Sequence, residues 1–387
     1  MLWLNFLHLY QPANLDPYYI KEAADKSYRR LVNLLEEHPR LKFTINISAC
    51  LLDRLADIGY QDLLLRLQKL ICRGQIELVG SAAYHAFLPL LPDQEIIKQI
   101  KEQEQIIKKY FGPVKLKGFF SPEMAYSHKL GRIIKSLGYK WLILDEIAFN
   151  GKLNANLDFS RVYLDKNSGL KIIFRDRKLS NSYVPDSILT LLKEEKKSIA
   201  ISATDGELYG LRHEDPTAEL EKLAKANNLQ SQIISEFIAD FPAKSLVSVN
   251  LRPSTWESTP AELRWRRPFW LWRAPQNKIH SYTWRLAELA MDLDESYQKD
   301  KNHYYCRWHL VRGLASCTFW WASGRNFSHN FGPLAWSPDE VERGLNDLIR
   351  SVRSLQDPRT KNAKIKAEKL YIKAKGLLWR RHWEKYF

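Results

Sequence analysis

The sequence of 387 residues lacks several features that would assign it to particular classes of protein. It has no run of about 18 apolar residues, so we predict no membrane-spanning helix. Its four cysteines lie far apart without a Cys-x-x-Cys pair, which indicates reduced thiols and a cytoplasmic protein. None of its ten histidines forms a His-x-x-x-His pair, the spacing expected for the metal triad of a polysaccharide deacetylase.

Acidic residues are also in deficit, and 59 Lys and Arg against 44 Asp and Glu give a net charge of +15. More than half of this excess lies in residues 351–387, which contain 11 Lys and Arg against 3 Asp and Glu. A basic tail can bind nucleic acid or an anionic surface. However, apolar residues recur in it at helical spacing, and no recognised nucleic-acid-binding motif accompanies it. We therefore predict a helix docked on a core, and expect neither nucleic acid nor a membrane as partner.

Short apolar runs alternate with helix-like segments over the first 255 residues. This alternation predicts parallel strands joined by right-handed helical crossovers. Seven or eight such units indicate a closed barrel, with a doubly wound open sheet as the alternative. The apolar N-terminus has no basic leader or cleavage site, so we interpret it as a strand and not as a signal peptide. The predicted strands are 2–7, 42–47, 76–79, 117–120, 141–144, 172–175, 199–203 and 246–249.

The pattern changes after residue 255, where Trp-rich helical stretches replace the strands. We therefore predict an α/β barrel in residues 1–255 and a helical C-terminal region in residues 256–387 that packs on it. The tryptophans near the boundary are either platforms for sugar rings or core residues, because aromatic faces serve both purposes. They are Trp256, Trp265, Trp270 and Trp272. The sequence leaves the oligomeric state open.

Polar and acidic side chains gather where the predicted strands end. Since the carboxyl ends of parallel strands meet at one edge, these residues are expected to lie close together. Chance would scatter them over both ends. The residues are His8 and Gln11 after the first strand, Glu77 and His85 at the third, Glu123 after the fourth, Asp145 and Arg175 at the next two, and Asp205 and Glu207 after the seventh.

Two of these carboxylates, Glu123 and Asp205, directly follow buried strands. Such a pair could share the nucleophile and general-acid roles of glycoside hydrolysis. Each residue also has a structural interpretation: Asp205 precedes Gly206 in a possible Asp-Gly turn, and Glu123 after Pro122 suits the first turn of a helix. Singly, the structural interpretations are at least as good. Taken together, the coincidences at one edge favour a site.

Four short segments resemble, in order, the conserved regions of glycoside hydrolase family 57, whose members are retaining enzymes active on α-glucans. A fifth, weaker resemblance lies at residues 265–280, which include Trp265 and the segment Asn277-Lys278-Ile279-His280. Each segment is weak alone, but four in the right order, each after a strand, are specific. The four segments are His8-Leu9-Tyr10-Gln11-Pro12, Gly74-Gln75-Ile76-Glu77, Ser121-Pro122-Glu123 and Asp205-Gly206-Glu207-Leu208-Tyr209-Gly210.

The resemblance implies a (β/α)7 barrel, a distorted relative of the TIM barrel, followed by a helical segment. It implies that Glu123 is the nucleophile and Asp205 the general acid/base of a hydrolase or glycosyltransferring enzyme. The partner would be an oligo- or polysaccharide, α-glucan foremost, and no cofactor or metal is expected. The implied substrate-contacting residues are His8, Gln11, Glu77, His85, Glu207, Tyr209, Trp265, Asn277 and His280.

Two departures from the family pattern bear on the substrate more than on the reaction. Tyr10 stands where the family has its second histidine, and Phe120 stands where it has tryptophan. Both leave the two carboxylates intact. The alternatives are a glycan-binding or regulatory relative without turnover, and a polysaccharide deacetylase on a related barrel.

Overall fold

A computed structural model describes residues 1–153, 156–194, 198–325 and 335–386. The chain divides into two compact units. The first comprises Met1–Ala83 and Leu88–Leu263, and the second comprises Tyr84–Phe87 together with the chain from Arg264 onward. The boundary between the units therefore lies eight residues after the expected position of 255. The sequence did not predict that Tyr84–Phe87 belongs to the second unit.

Ten strands lie in the described ranges, all in the first unit. All eight predicted strands are present, and the two additional ones are short, with three and two residues. Neither contains an apolar run, since their sequences are Tyr163-Leu164-Asp165 and Gln230-Ser231. The strands are β1 (Leu2–Leu9), β2 (Phe43–Ile47), β3 (Ile76–Leu78), β4 (Gly118–Phe119), β5 (Trp141–Asp145), β6 (Tyr163–Asp165), β7 (Lys171–Arg175), β8 (Ile199–Asp205), β9 (Gln230–Ser231) and β10 (Val247–Val249).

Seven parallel strands make the barrel wall. One sheet has the order β3-β2-β1-β8, and the other contains β7-β5-β4. The sheets meet at two seams. At the first, the Gly80 N–H donates to the Gly118 carbonyl and the Phe120 N–H donates to the Gly80 carbonyl, both at 2.9 Å. At the second, the Asp176 N–H donates to the Ile201 carbonyl at 3.0 Å. The seams complete the ring β1-β2-β3-β4-β5-β7-β8.

The predicted (β/α)7 barrel is thus confirmed, with one correction. The eighth predicted strand, β10, is not a wall strand: it pairs with β6, which runs antiparallel to β7. Gly80 is required at the first seam because a β-carbon there would overlap the Tyr139 ring.

Alternate residues of the wall strands face the inside of the ring. In β1, Leu4 and Phe6 belong to the apolar cluster inside the ring, whereas Trp3 and Leu7 pack with the surrounding helices. This is the two-residue period of a β-strand. By the same alternation, polar side chains at the carboxyl ends point into the ring: His8, Asp145, Arg175 and Asp205.

The helices follow the predicted apolar spacing. The clearest case buries Ile96, Ile100 and Ile107 on one stripe, and Gly112 ends the helix in a left-handed conformation with φ 77°. In the described ranges before residue 265, the α-helices are α1 (Pro17–Ala23), α2 (Arg29–Glu37), α3 (Ala49–Asp57), α4 (Gln61–Cys72), α5 (Asp93–Phe111), α6 (His128–Ser136), α7 (Ile147–Asn150), α8 (Arg177–Ser180), α9 (Val184–Glu194), α10 (Glu219–Lys225), α11 (Ile234–Ala239) and α12 (Pro260–Arg264).

The second unit is helical, as predicted. The basic tail forms its last helix, which buries Ala367, Leu370, Ala374 and Leu378 and leaves its charged residues toward solvent. No helix in the described ranges combines the length and apolar character needed to cross a bilayer. The helices are α13 (Lys278–Ser296), α14 (His303–Gly313), α15 (Ser316–Trp320), α16 (Pro338–Ser354) and α17 (Lys361–Tyr386).

Candidate functional site

The candidate site lies at the carboxyl end of the barrel strands. In the ladder between β1 and β8, His8 is the register partner of Asp205. The ring of His8 packs against Phe120, with 4.7 Å between the ring centroids, and Phe120 precedes Glu123 by three residues. The barrel wall therefore brings the ends of β1, β4 and β8 together around His8.

Glu123 has an unusual backbone conformation just after β4. Its φ of 63° and ψ of 17° lie in the left-handed region, which costs a non-glycine residue on the order of 1–3 kcal/mol. Two hydrogen bonds hold it there. The Trp256 indole Nε1 donates to Glu123 Oε2 at 2.9 Å, and the Trp256 backbone N–H donates to the Glu123 carbonyl at 3.1 Å. Strain of this kind clusters at functional sites, where the surrounding structure enforces it.

Asp205 is the last residue of β8 and forms an ion pair with Arg212. The distance between Arg212 Nη1 and Asp205 Oδ2 is 2.6 Å, and the arginine side chain is 60% exposed. A tight turn brings the chain back over these seven residues. Gly210 adopts φ 120° within the turn, and a β-carbon there would overlap the Lys26 carbonyl. Glycine is therefore required for Arg212 to reach Asp205.

Glu207 is a second carboxyl of this loop and is buried. Its Oε1 accepts hydrogen bonds from the Tyr28 hydroxyl and, at 3.0 Å, from Gln11 Nε2. Burial, followed by the negative charge of Asp205, raises the pKa of Glu207 to about 7. Glu207 thus holds a proton for much of the time near neutral pH, within the electrostatic field of Asp205.

His8 is buried at the centre of the site. Its Nδ1 lies 2.8 Å from Asn46 Oδ1, and the Tyr10 ring stacks on it with 5.7 Å between centroids. Burial lowers the pKa of His8 below its ordinary value of 6.5, so the imidazole is neutral at pH 7. A neutral ring can hydrogen-bond a sugar hydroxyl without adding charge to the site.

Glu77 does not join this group. It lies one interior layer below His8, since His8 is level with Asn46, and Thr44 is the register partner of Glu77. Its carboxylate accepts hydrogen bonds from the Thr44 hydroxyl at 3.1 Å, from the Ser235 backbone N–H at 3.1 Å and from the Ser235 hydroxyl. In the structure Glu77 therefore joins β2 and β3 to the start of α11, and the substrate contact implied by the resemblance stays a prediction.

Tyr209 is likewise a core residue. Its side chain is fully buried in the apolar cluster between the wall and the helices, and this burial raises the pKa of its hydroxyl. In this structure the ring packs in the core, and the substrate contact implied by the resemblance stays a prediction.

Four of the predicted residues belong to the second unit: His85, Trp265, Asn277 and His280. Asn277 caps α13 through its Oδ1, and its Nδ2 donates to the Ala322 carbonyl at 2.8 Å. His280 accepts from the Ala274 N–H at 3.0 Å through Nδ1, and its Nε2 bonds the Phe319 carbonyl at 2.9 Å. Both side chains hydrogen-bond to the backbone of the protein, which gives them a structural role, and the implied sugar contacts stay predictions.

The aromatic and histidine candidates of the second unit differ in exposure. Trp265 is 64% exposed, as a sugar platform requires, and His85 is buried in the segment Tyr84–Phe87 with a left-handed φ of 55°. Trp272 is a core residue, which donates through Nε1 to Ser316 and stacks on Phe87.

Two side chains of the site were not predicted from the sequence. Tyr28 belongs to the π-helical turn Ala24–Tyr28 and contacts Glu207 across 179 residues of chain. Arg212 lies seven residues after Asp205, and only Gly210 hints at the turn between them. Within the described ranges, no cluster of three or more His, Cys, Asp and Glu side chains has the arrangement needed to hold a metal ion.

The chain is similar to curated proteins named as α-amylases and 4-α-glucanotransferases. An α-amylase of Dictyoglomus thermophilum is 28% identical over 214 residues, which cover 53% of this chain and 31% of that protein. A 4-α-glucanotransferase of Thermococcus litoralis is 24% identical over 227 residues, covering 54% of this chain and 33% of that protein. The chain thus spans about a third of the length of these relatives.

Solved structures share the fold. The crystal structure of 4-α-glucanotransferase from Thermococcus litoralis superposes with a TM-score of 0.72 at 19% identity, covering 92% of this chain and 59% of that one. The structure of a family 57 branching enzyme from Thermococcus kodakaraensis gives a TM-score of 0.69 at 15% identity, covering 97% and 94%. The profile of glycosyl hydrolase family 57 matches residues 5–250. Because this match covers more than half of the chain, the protein belongs to glycosyl hydrolase family 57.

Proposed function

We propose that this protein is a retaining, α-glucan-active glycoside hydrolase or glucanotransferase that works by double displacement. In this proposal Glu123 is the nucleophile and Asp205 is the general acid/base. The observation that carries it is the pair of carboxylates at the ends of β4 and β8, joined through His8, with Glu123 strained and hydrogen-bonded at its side chain.

The first displacement forms a glycosyl–enzyme bond. A Glu123 oxygen attacks the anomeric carbon, the glycosidic C–O bond breaks, and the proton of Asp205 passes to the leaving oxygen. In the second displacement, Asp205 takes a proton from the acceptor hydroxyl, whose oxygen bonds the anomeric carbon while the bond to Glu123 breaks. The neutral indole N–H of Trp256 supports the attack because it orients Oε2 without neutralising the carboxylate.

Asp205 must carry a proton for the first displacement, so its ion pair with Arg212 must open when substrate binds. The Arg212 side chain is mostly exposed, so substrate binding can displace it from Asp205 at little cost in free energy. Gln11 and His8 complete the polar lining and would hydrogen-bond sugar hydroxyls.

The substrate class rests on the relatives, which are named as an α-amylase and a 4-α-glucanotransferase. If the acceptor is water the reaction is hydrolysis, and if it is a sugar hydroxyl the reaction is transfer. The chemistry of Glu123 and Asp205 is the same in both cases.

The test is incubation of the purified protein with maltooligosaccharides and with glycogen, followed by separation of products by chain length. Shorter chains alone would identify hydrolysis, and longer and shorter chains together would identify transfer. Glu123→Ala should abolish either, whereas Glu288→Ala, at an exposed ion pair with Arg273, serves as the matched control. Activity retained in Glu123→Ala would refute the assigned nucleophile, and an inactive wild type that binds glycan would favour a non-catalytic relative.

A further inference from the structure

A buried cluster of three charges lies at the ends of β5 and β7. Asp145 accepts a hydrogen bond from Arg175 Nε at 2.7 Å and from Arg177 Nη2 at 2.7 Å. The aspartate side chain is 1% exposed, and the two arginine side chains are 6% and 12% exposed. The cluster therefore places a net charge of +1 inside the barrel. Arg175 Nη1 also donates to the Ala203 carbonyl of β8 at 2.9 Å, which fixes the guanidinium in place.

Both arginines hold the segment around Trp256 in place. The Arg175 guanidinium carbon lies 5.2 Å from the centroid of the Trp256 ring. Arg177 Nη1 donates to the Ser258 carbonyl at 3.0 Å, and its Nη2 donates to the Thr255 carbonyl at 3.4 Å. Arg175 thus holds the ring of the tryptophan, while Arg177 holds the backbone on both sides of it.

We propose that Arg175 is a positioning residue for the reaction at Glu123, and that it acts through Trp256 by holding the indole N–H on Glu123 Oε2. The inference rests on the proposed function, since it assumes that Glu123 is the nucleophile. It assigns a role to Asp145 and Arg175, which the sequence places at strand ends without giving them a task.

Arg175 affects the indole in two ways. It restricts the rotation of the ring, so that Nε1 points at the carboxylate in the resting protein and no ordering is needed during attack. It also places a cation over the π-face, which draws electron density toward the face and leaves the N–H more positive. Both effects strengthen the hydrogen bond that orients the attacking oxygen.

The composition of the cluster argues against a role in stability alone. Buried ion pairs are often replaced by apolar residues without loss of stability, because desolvation offsets the attraction between the charges. Asp145 and the two arginines together carry a formal excess of one positive charge. Beside a carboxylate that must remain ionised to attack, the excess charge is favourable.

The experiment measures how fast Glu123 becomes glycosylated. The probe is 5-fluoro-α-maltosyl fluoride, an activated sugar whose glycosyl-enzyme accumulates, and the Glu123 peptide is quantified by mass spectrometry. The variants are Trp256→Phe, which keeps a ring but removes the N–H, Arg175→Met, and the two combined. Arg161→Met, at an exposed ion pair with Asp158, is the matched control.

We expect Trp256→Phe to slow labelling about 10–100-fold, the size expected for a hydrogen bond to a charged group. Arg175→Met should slow it about 10-fold, with KM for maltooligosaccharides changed less than about 3-fold. Because Arg175 acts through the N–H, the combined variant should be no more than about 3-fold slower than Trp256→Phe alone. Arg175→Lys should restore part of the rate, and Arg161→Met should label like the wild type.

Labelling at the wild-type rate in Arg175→Met, or losses that multiply in the combined variant, would overturn the inference. If Arg175→Met does not fold, as judged by circular dichroism, Arg175→Lys takes its place in the cycle with Trp256→Phe. Failure of the proposed function gives a different result: the wild-type Glu123 peptide stays unlabelled, and Glu123→Ala remains active. That result would overturn both proposals.

Discussion

Two clusters of arginine and carboxylate at the carboxyl end of the barrel differ in exposure. Asp145 with Arg175 and Arg177 is almost fully buried, whereas the Asp205 side chain is 25% exposed and Arg212 is 60% exposed. The first cluster stands behind Glu123 and contacts it through Trp256. The second includes a proposed catalytic residue itself.

The comparison teaches that the same pair of residue types can serve opposite purposes. In the buried cluster the charges cannot separate without leaving one of them unsolvated, so the cluster fixes geometry. In the exposed pair, water replaces the arginine at little cost, so the pair can open and Asp205 can exchange its proton. A nucleophile needs a fixed position, whereas a general acid/base must donate a proton in one step and accept one in the next.

The largest expected effect separates the two catalytic roles. Glu123→Gln and Asp205→Asn should each lower the rate on maltooligosaccharides about 1,000-fold or more. With a maltosyl fluoride, whose leaving group needs no proton, Asp205→Asn should still form the glycosyl-enzyme at a rate near that of the wild type. Glu123→Gln should form none. The measurement is fluoride release in a single turnover, and equal behaviour of the two variants would contradict the assignment.

The next effect tests the buried cluster. Asp145→Asn removes the charge that both arginines share and should lower the free energy of unfolding by about 3–5 kcal/mol. Urea denaturation followed by tryptophan fluorescence gives this value. A loss below about 1 kcal/mol would show that the buried cluster is as replaceable as an exposed pair, and the comparison would fail.

A third prediction concerns Glu207 and pH. Because its pKa in the folded protein is raised from an ordinary value of 4.5 to about 7, the folded state binds this proton more tightly than the unfolded state does. Its contribution to stability is therefore complete below pH 4.5 and is lost as pH rises to 7. At about 1.4 kcal/mol per pH unit, the loss is about 3 kcal/mol.

Glu207→Gln isolates this contribution. Relative to the wild type, the variant should gain about 3 kcal/mol in free energy of unfolding between pH 4.5 and pH 8. The lowered pKa of His8 also makes stability depend on pH, but it affects both proteins and cancels in the difference. Glu288→Gln, at an exposed pair, is the control and should show no such change. A difference that does not vary with pH would refute the prediction.

The smallest effect is expected at the exposed pair. Arg212→Gln should change the free energy of unfolding by no more than about 0.5–1 kcal/mol, because exposed ion pairs contribute little. Whatever effect exists should shrink in 0.5 M salt, which screens exposed charges. A loss comparable to that of Asp145→Asn would erase the distinction between the two clusters.

The sequence predicted the barrel because apolar runs of four to eight residues mark wall strands directly. It missed β6 and β9, which contain no apolar run, and it listed β10 beside the wall strands because edge strands can have the same apolar composition. The rule that working residues follow parallel strands correctly placed His8, Glu123 and Asp205 at one end.

The rule does not predict how deep in the barrel an inward-pointing strand residue lies. Glu77 belongs to a segment that resembles a region of the family. Its depth in the barrel depends on the register between β2 and β3, which spacing along the chain does not reveal. Tyr209 and His280 were assigned by resemblance, which cannot distinguish a buried positioning residue from one that contacts substrate. The contact of Tyr28 with Glu207 depends on packing between distant parts of the chain, and the contact of Arg212 with Asp205 depends on a turn. Local sequence reveals neither contact.

The two seams of the barrel have a mechanical consequence. Asp205 belongs to the sheet β3-β2-β1-β8, while Glu123 follows the sheet that contains β4, β5 and β7. The backbone hydrogen bonds at Gly80 and Asp176 join these two halves, whereas full ladders run within each half. A small shear between the halves changes the separation of the two carboxylates and leaves each sheet intact. Each half of the barrel thus carries one of the two proposed catalytic carboxylates. The hydrogen bonds at the seams set the distance between them.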